Sequence, residues 1–330
     1  MLTVKRKFSL GISSAISLAL EACGGGGGGV ANSTPPPPPT PTPTPTPTPA
    51  SVTIFKNPMP GEFVTVGASG TSGSGATYPS ADSRFGPLST NSASQPLIRY
   101  TSAGYYEVEM PGQSWDRLIP DKGIVNPGSN EVNLQPASSP QNDASLYILR
   151  SLDSGYLYSE MASWNSNSSS RTGWFAFGVP TPQGGVPSAG SATYQGTVHG
   201  SADIMQYDLL AGGYFPTSVD GNVTLNFDLG QGSLSGAMTL YLPDGMQPLA
   251  LDTYAFKDTV FSVGSTAYSG KFATSASGDN FFLGQFTGPT AQETIGAWAL
   301  PFVFSKSGQT ITADGQLHQA FGAWVAKKGP

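Results

Sequence analysis

The sequence predicts an all-β protein with a C-terminal eight-stranded antiparallel β-barrel, a smaller β-rich domain before it, and a disordered Gly and Pro/Thr linker at the N-terminus. Charged residues make up only 11% of the 330 residues, whereas 42 are glycine, a composition typical of loop-rich β-proteins. Apolar and polar residues alternate with period two along the C-terminal half. Residues 35–49 consist entirely of Pro and Thr, and such a run forms neither α-helix nor β-sheet.

Residues 1–22 are organised like a bacterial lipoprotein signal peptide. A basic cluster precedes a short apolar run that ends at Leu20, and this run is shorter than the roughly 20 apolar residues of a membrane-spanning helix. The segment Leu-Glu-Ala-Cys that ends at Cys23 resembles the lipobox, whose cysteine becomes the acylated first residue. Cys23 is the only cysteine of the chain, so an internal disulfide is excluded. We predict cleavage after residue 22 and fatty acyl chains, palmitate among them, on Cys23.

Residues 23–50 form the predicted lipid anchor and linker. Six consecutive glycines supply a flexible tether, and the Pro/Thr run at 35–49 favours polyproline II, which at about 3.1 Å per residue gives a semi-rigid spacer of roughly 45 Å. The alternative is that the run is a proline-rich ligand for a partner domain. Loss of the signal peptide removes three positive charges and one negative charge, which takes the formal net charge from −6 to −8. A net negative charge argues against binding to nucleic acid or to anionic lipid headgroups.

The remaining residues are long enough for two domains, which we place at 51–188 and 189–330. The boundary lies in a Pro- and Gly-rich stretch at 179–190. In the first domain Tyr106, Val108 and Met110 share one strand face. Further strands are predicted at 146–151, 156–164 and 173–179, with polar loops at 67–83 and 165–172.

The second domain has the stronger alternation. Apolar residues recur at every second position over Val223–Leu229, Met238–Leu242 and Trp298–Phe304. Pro301 interrupts the last of these and indicates an edge or a bulge. Other predicted strands lie at 193–199, 260–263, 267–273 and 281–287. The total is close to eight, the number that closes into a barrel filled by side chains.

One motif of the second domain resembles a known family. Its members are Gly284, Phe286, Gly288, Pro289, Ala291, Glu293 and Gly296. In this spacing they resemble the signature that closes the eight-stranded barrel of transferrin-binding protein B and related surface lipoproteins. Residues 192–200 and 221–236 are similar to the opening strand and the second hairpin of that barrel, and the domain at 51–188 is matched loosely, as a handle-like domain.

The residue types of this motif also predict an architectural role that needs no ligand. Gly288 and Pro289 end a strand, because glycine permits unusual φ values and proline cannot donate a ladder hydrogen bond. We expect Ala291 to Glu293 to make a turn in which Glu293 accepts hydrogen bonds from backbone or from Arg or Lys. Gly296 then allows close approach to a neighbouring strand. The motif therefore identifies the barrel and not its ligand.

The resemblance implies a lipid-anchored receptor or solute-binding lipoprotein, exposed on the cell outer membrane. Its partner would be an outer-membrane transporter or a host or extracellular protein. True transferrin-binding proteins repeat barrel and handle in two lobes, whereas this chain has room for one lobe.

A structural or adhesive surface protein that binds a glycan or another cell is the alternative. Its candidate aromatic residues are Trp115, Trp164, Tyr207 and Tyr214. We place Tyr207 and Tyr214 in a long connection between barrel strands and name them as the candidate ligand-binding residues.

Two further function classes have less support. The two histidines, His199 and His318, have no metal-ligand spacing and no catalytic motif occurs, so we expect no enzyme, cofactor or metal. Glu107 and Glu109 share a strand face and could serve a cell-envelope glycosidase, but a solvated strand face is the simpler interpretation. The strands of a membrane-spanning barrel would also alternate apolar and polar residues. The lipobox and the polar C-terminal residues favour a barrel that does not span the membrane.

Overall fold

The computed structural model describes residues 52–55, 57–71, 80, 83–90, 94–120, 132–138, 144–148, 155–166, 171–209 and 212–329. The predicted signal peptide, Cys23 and the Gly/Pro/Thr linker lie outside these residues. The described residues belong to one compact unit, Pro49–Pro330. Among them, no helix has the length and apolar character needed to cross a bilayer.

The described part of the chain contains two β-sheets. The first, the N-terminal sheet, has nine strands. They are β1 (Gly61–Glu62), β2 (Val64–Thr71), β3 (Leu97–Tyr100), β4 (Tyr106–Glu109), β5 (Asp116–Pro120), β6 (Val132–Pro136), β7 (Ala144–Ile148), β8 (Ser159–Ser166) and β9 (Arg171–Gly178). Their order is β1-β3-β4-β5-β6-β7-β8-β9-β2. Since β1 and β2 are separated only by Phe63, the sheet curls until its two edges meet at that residue.

The second sheet is a closed barrel of eight antiparallel strands, each paired with the next and the last with the first. They are β10 (Ser191–Asp208), β11 (Gly213–Asp228), β12 (Ser233–Leu242), β13 (Leu249–Val260), β14 (Ala267–Phe272), β15 (Phe281–Thr287), β16 (Glu293–Val303) and β17 (Leu317–Lys328). The predicted all-β class with a C-terminal eight-stranded barrel is confirmed. The division into two domains at residue 188 stays a prediction.

Several strand predictions were wrong in position. One strand was expected at 260–263. The observed strand β13 instead ends at Val260, so almost all of it lies before the expected range. The final strand β17 was not predicted. The first residues of the polar loop expected at 67–83 belong to β2, where Val66 and Ala68 are buried. Pro301 lies beyond Ala299, the last residue of β16 that pairs with β15, which agrees with its predicted edge position.

Three apolar clusters hold the described residues together. One fills the barrel and includes Tyr194, Phe227, Phe286, Trp298 and Trp324. A second lies inside the curled N-terminal sheet. The third joins the two sheets, with residues of β2, β8 and β9 packed on the outer faces of β16 and β17. Half of the buried residues on the barrel side of this contact are alanines, Ala297, Ala299 and Ala323, and their small side chains let the two sheets approach closely. Strands β16 and β17 are consequently buried on both faces.

Candidate functional site at the barrel rim

Strands β10 and β11 extend beyond the barrel wall as a two-stranded hairpin. Strand β10 pairs with β17 only as far as Ala202, and β11 pairs with β12 only from Asp220 onward. The two strands nevertheless pair with each other up to Asp208 and Gly213. We call residues 203–209 and 212–219 the rim hairpin, and we call the barrel end from which it projects the rim. The connections at 243–248, 273–280 and 304–316 lie at the same end, because strand directions alternate around the barrel.

The rim hairpin contains both residues that the sequence singled out for ligand binding, but not in the expected setting. Tyr207 and Tyr214 lie in β10 and β11 and stand opposite each other in the register, whereas we had placed them in a connection. Their rings meet edge to face, with centroids 5.2 Å apart. Pairing of this kind stiffens the hairpin, since aromatic contacts across strands stabilise a ladder.

Apolar side chains are exposed on the rim. The side chain of Tyr207 is 52% exposed, that of Leu209 is 87% exposed and that of Met246 is 88% exposed. An open groove of about 500 Å³ runs between the rim hairpin and Pro243. It is lined by Gln206, Tyr207, Asp208, Leu209, Phe215, Pro216, Thr217, Ser218 and Pro243. Exposed apolar side chains beside a groove are typical of a contact surface for another molecule.

The connections behind this groove are bonded to one another. The carboxylate of Asp244 accepts hydrogen bonds from the backbone N–H groups of Thr310 at 2.7 Å and Ile311 at 3.2 Å, and from that of Gln309. The Thr310 hydroxyl also donates to it, and this bond together with the backbone bonds lowers the pKa of Asp244 despite desolvation. The Lys306 ammonium donates to the carbonyl of Leu251 at 2.7 Å. These bonds hold the loops at 243–248 and 304–316 in one arrangement.

His318 fastens the loop at 304–316 to the base of the rim hairpin. Its Nδ1 lies 2.9 Å from Asp203 and its Nε2 lies 2.9 Å from Asp314. His318 and Asp203 are both buried. Burial opposes the charged imidazolium, but the hydrogen bonds and charges of Asp203 and Asp314 outweigh it and raise the pKa of His318. Arg84 of the N-terminal sheet region lies close enough to Asp314 to contribute to the lowered pKa of that carboxyl.

A bulge supplies Asp203 to this network. Ala202 pairs with Thr217 and Met205 with Pro216, so β10 has two extra residues at Asp203 and Ile204. The bulge turns the Asp203 side chain inward, where it also accepts the N–H of Gln319 at 3.0 Å. Bulges of this type bend a strand and redirect a side chain. Sequence alone carried no signal for this pairing, because Asp203 and His318 are far apart in the chain.

The other residues proposed from the sequence lie elsewhere. Trp164 is fully buried in the N-terminal sheet, so it cannot serve as an exposed aromatic contact of the adhesive alternative. Trp115 is half-buried beneath the guanidinium of Arg99, at 4.2 Å from the ring centroid. That guanidinium also contacts the Glu107 carboxylate at 2.6 Å, and thus Glu107 belongs to a structural ion pair.

His199 lies on the outer wall of the barrel, away from His318. Its Nδ1 is 2.7 Å from Asp220, and its ring stacks on Trp174. Within the described residues, no group of three or more His, Cys, Asp and Glu residues could hold a metal ion.

The signature residues lie at the opposite end of the barrel and in its core. A Cβ at Gly284 would overlap the ring of Tyr268, and one at Gly296 would overlap the indole of Trp324. Gly288 has a φ of 81° and Ala291 a φ of 55°. Both values are left-handed, and the carbonyl of Ala291 accepts the phenol of Tyr194 at 2.5 Å. Phe286 is buried in the barrel core.

Glu293 and Pro289 complete the motif at the junction with the N-terminal sheet. The Glu293 carboxylate accepts the backbone N–H groups of Leu157 at 2.6 Å and Tyr158 at 3.0 Å. The expected backbone hydrogen bonds to Glu293 are thus confirmed. Pro289 lies in the turn between β15 and β16. The contacts of the motif are those of a turn and of a junction between sheets.

Comparison with known proteins adds a likeness of shape only. No family model matches the chain, and no curated protein matches it. A transferrin-binding protein B double mutant from Haemophilus parasuis Hp5 is 13% identical, with a TM-score of 0.40, 80% of this chain covered and 45% of that chain covered. The isotype 1 transferrin-binding protein B of serogroup B Neisseria meningitidis is 13% identical, with a TM-score of 0.42 and coverages of 81% and 44%.

The haemoglobin receptor HpuA of Kingella denitrificans, solved with human haemoglobin, is 15% identical, with a TM-score of 0.37 and coverages of 86% and 92%. This chain spans less than half the length of the two transferrin-binding proteins. Identities and TM-scores of this size assign neither a family nor a ligand.

Proposed function

We propose that this protein is a lipid-anchored binding protein of the outer membrane surface and that it captures a partner protein through the rim hairpin. The observation that carries the proposal is the exposure of Leu209 and Met246, the two most exposed large hydrophobic side chains of the described residues. Both lie at the rim. Apolar side chains in this setting lose water when a partner covers them, and that loss drives association.

The rigidity of the rim supports the same function. The hairpin and the loops at 243–248 and 304–316 are held by Asp244, Lys306 and His318 through the bonds described above. A surface whose side chains are already ordered loses less conformational entropy on binding. The rim is therefore suited to recognition of a folded partner with little rearrangement.

The lipobox and the Pro/Thr spacer support the proposed location. Acyl chains on Cys23 would hold the N-terminus at the membrane, and the spacer would separate the folded body from it. A host or extracellular protein, or an outer-membrane transporter, is the partner class that such a position makes accessible.

Site-specific photo-crosslinking tests the function on the full chain in intact cells. A photoreactive phenylalanine analogue replaces Leu209 in one variant and Val260 in a matched control. Val260 is also an exposed apolar residue, at 63%, but it lies at the opposite end of the barrel. We expect a protein adduct from position 209 and none from position 260. Adducts from position 260 alone, or from neither position in any tested medium, would contradict the proposal.

A further inference from the structure

The exposed charges of the rim have one predominant sign. Four exposed aspartates lie at this end of the barrel: Asp208 in the rim hairpin, Asp252 near the start of β13, and Asp279 and Asp314 in the connections at 273–280 and 304–316. Lys306 is the only exposed cation that the structure describes within the rim hairpin, the start of β13 and the connections at 243–248, 273–280 and 304–316. Its ammonium already donates a hydrogen bond to a backbone carbonyl. Arg84, outside the barrel, offsets part of the charge of Asp314.

The other end of the barrel has the opposite balance. Three exposed lysines, Lys257, Lys327 and Lys328, lie toward that end, beside two exposed aspartates, Asp228 and Asp258. A further exposed lysine, Lys271, pairs with Lys257 but lies one residue before the end of β14. The barrel is therefore electrically polar along its axis, with its negative end at the exposed apolar residues. Such a field steers an oppositely charged partner toward the rim and suppresses the approach of acidic proteins.

We propose that the partner is a protein whose contacting surface is basic, with Arg or Lys side chains around an apolar centre. The inference rests on the proposed function, because it assumes that the rim hairpin is the contact surface. The apolar centre would cover Leu209, Tyr207 and Met246, and the surrounding cations would meet Asp208 and Asp252. Arginine suits this role best, since its guanidinium contacts carboxylates in a bidentate manner and also stacks on aromatic rings such as that of Tyr207.

A peptide library displayed on phage is the probe. The full chain, held in detergent micelles, is used for selection, and the Leu209→Ser, Met246→Ser double variant is used to remove peptides that bind elsewhere. We expect the retained peptides to be enriched in Arg and Lys next to Trp, Phe or Leu. Retained peptides without a basic excess would overturn this inference and leave the proposed function intact. Recovery of no rim-dependent peptide at all would instead count against the proposed function.

Charge neutralisation gives a second, quantitative test with one selected peptide. Asp208→Asn with Asp252→Asn removes two rim charges without changing side-chain size. Asp258→Asn is the control, because it removes one charge at the opposite end and asparagine tolerates the left-handed φ of 48° found there. At low salt we expect the association rate to fall by about 3- to 10-fold for the rim variant and to stay unchanged for the control. Equal rates for the two variants would refute the steering role.

Discussion

The carboxylate of Glu293, in the first residue of β16, lies 2.6 Å from the backbone nitrogen of Leu157, which precedes β8 of the N-terminal sheet. The second oxygen accepts the N–H of Tyr158. One acidic side chain of the barrel thus satisfies two consecutive backbone donors of the other sheet. Beside it, the hydroxyls of Ser159 and Thr287 are 2.6 Å apart, and together these bonds attach the N-terminal sheet to the barrel.

Glu293→Ala should destabilise this attachment. The two backbone N–H groups would lose their acceptor, and an unsatisfied buried donor costs about 1–3 kcal/mol. Because the Tyr158 bond is buried and the Leu157 bond only partly buried, we expect a loss of about 2–4 kcal/mol in the free energy of unfolding. Chemical denaturation measures it. Glu62→Ala, at an exposed strand position, is the control and should change little. An unfolding curve for Glu293→Ala that superimposes on wild type would contradict the assigned role.

The pH dependence of Glu293 has a definite sign. Burial raises the pKa of Glu293, although the N–H groups of Leu157 and Tyr158 oppose the rise. A carboxyl whose pKa is higher in the folded state favours folding most when it is protonated. Its contribution therefore declines as the pH rises from the ordinary carboxyl range through the raised pKa. Glu293→Ala should remove that decline from a plot of stability against pH.

Gly296→Ala should disrupt the barrel core. The added methyl group would overlap the Trp324 indole, which is fully buried, and overpacking at such a site costs about 3 kcal/mol. Thermal unfolding followed by near-ultraviolet circular dichroism measures the effect through the tryptophan signal. Gly230→Ala is the matched control, since its nearest new contact is at 3.6 Å. A variant at 296 as stable as the variant at 230 would show that the close approach is not needed.

The His318 network predicts a pH-dependent attachment of the loop at 304–316. Because the pKa of His318 is raised above its ordinary value of 6.5, the charged imidazolium stabilises the folded state fully below pH 6.5. That stabilisation is lost as the pH rises through the raised value. Hydrogen exchange of the loop amides should therefore show greater protection at the lower pH after correction for the intrinsic exchange rate.

His318→Leu should remove this pH dependence and cost about 3 kcal/mol, because it leaves the buried carboxylate of Asp203 without its cationic partner. His199→Leu is the control. His199 and Asp220 are each about one-third exposed, and a solvent-exposed pair contributes less than about 1 kcal/mol. Equal protection of the loop at both pH values in the wild-type chain would exclude the proposed contribution of His318.

Cys23→Ser should release the protein from membranes. Without its thiol the residue cannot accept lipid, and the chain has no second cysteine to replace it. Labelling with a radioactive or clickable palmitate analogue, followed by membrane fractionation, measures both effects. Continued labelling of the serine variant would disprove the anchoring prediction.

Period-two alternation predicted barrel strands that have one face inside and one face in solvent where the buried positions are regularly spaced, but not β13, where they are irregularly spaced. Strands β11 and β12 are of the regular kind, with buried Val223 and Leu225 alternating with polar residues. The pattern was absent from β17, where Ala320, Phe321, Ala323 and Trp324 are all buried. A strand covered on both faces no longer alternates, so its sequence did not reveal it.

The sequence by itself determined the β-class, the barrel and the architectural part of the closing motif, because these follow from local periodicity and from residues with special backbone requirements. Only the tertiary structure decided that Tyr207 and Tyr214 belong to a projecting hairpin, that Trp164 is internal, and that Asp203 reaches His318. Each of these depends on strand lengths and registers fixed by packing between distant segments. The rim became a candidate site for the same reason, since exposure is a property of the assembled fold.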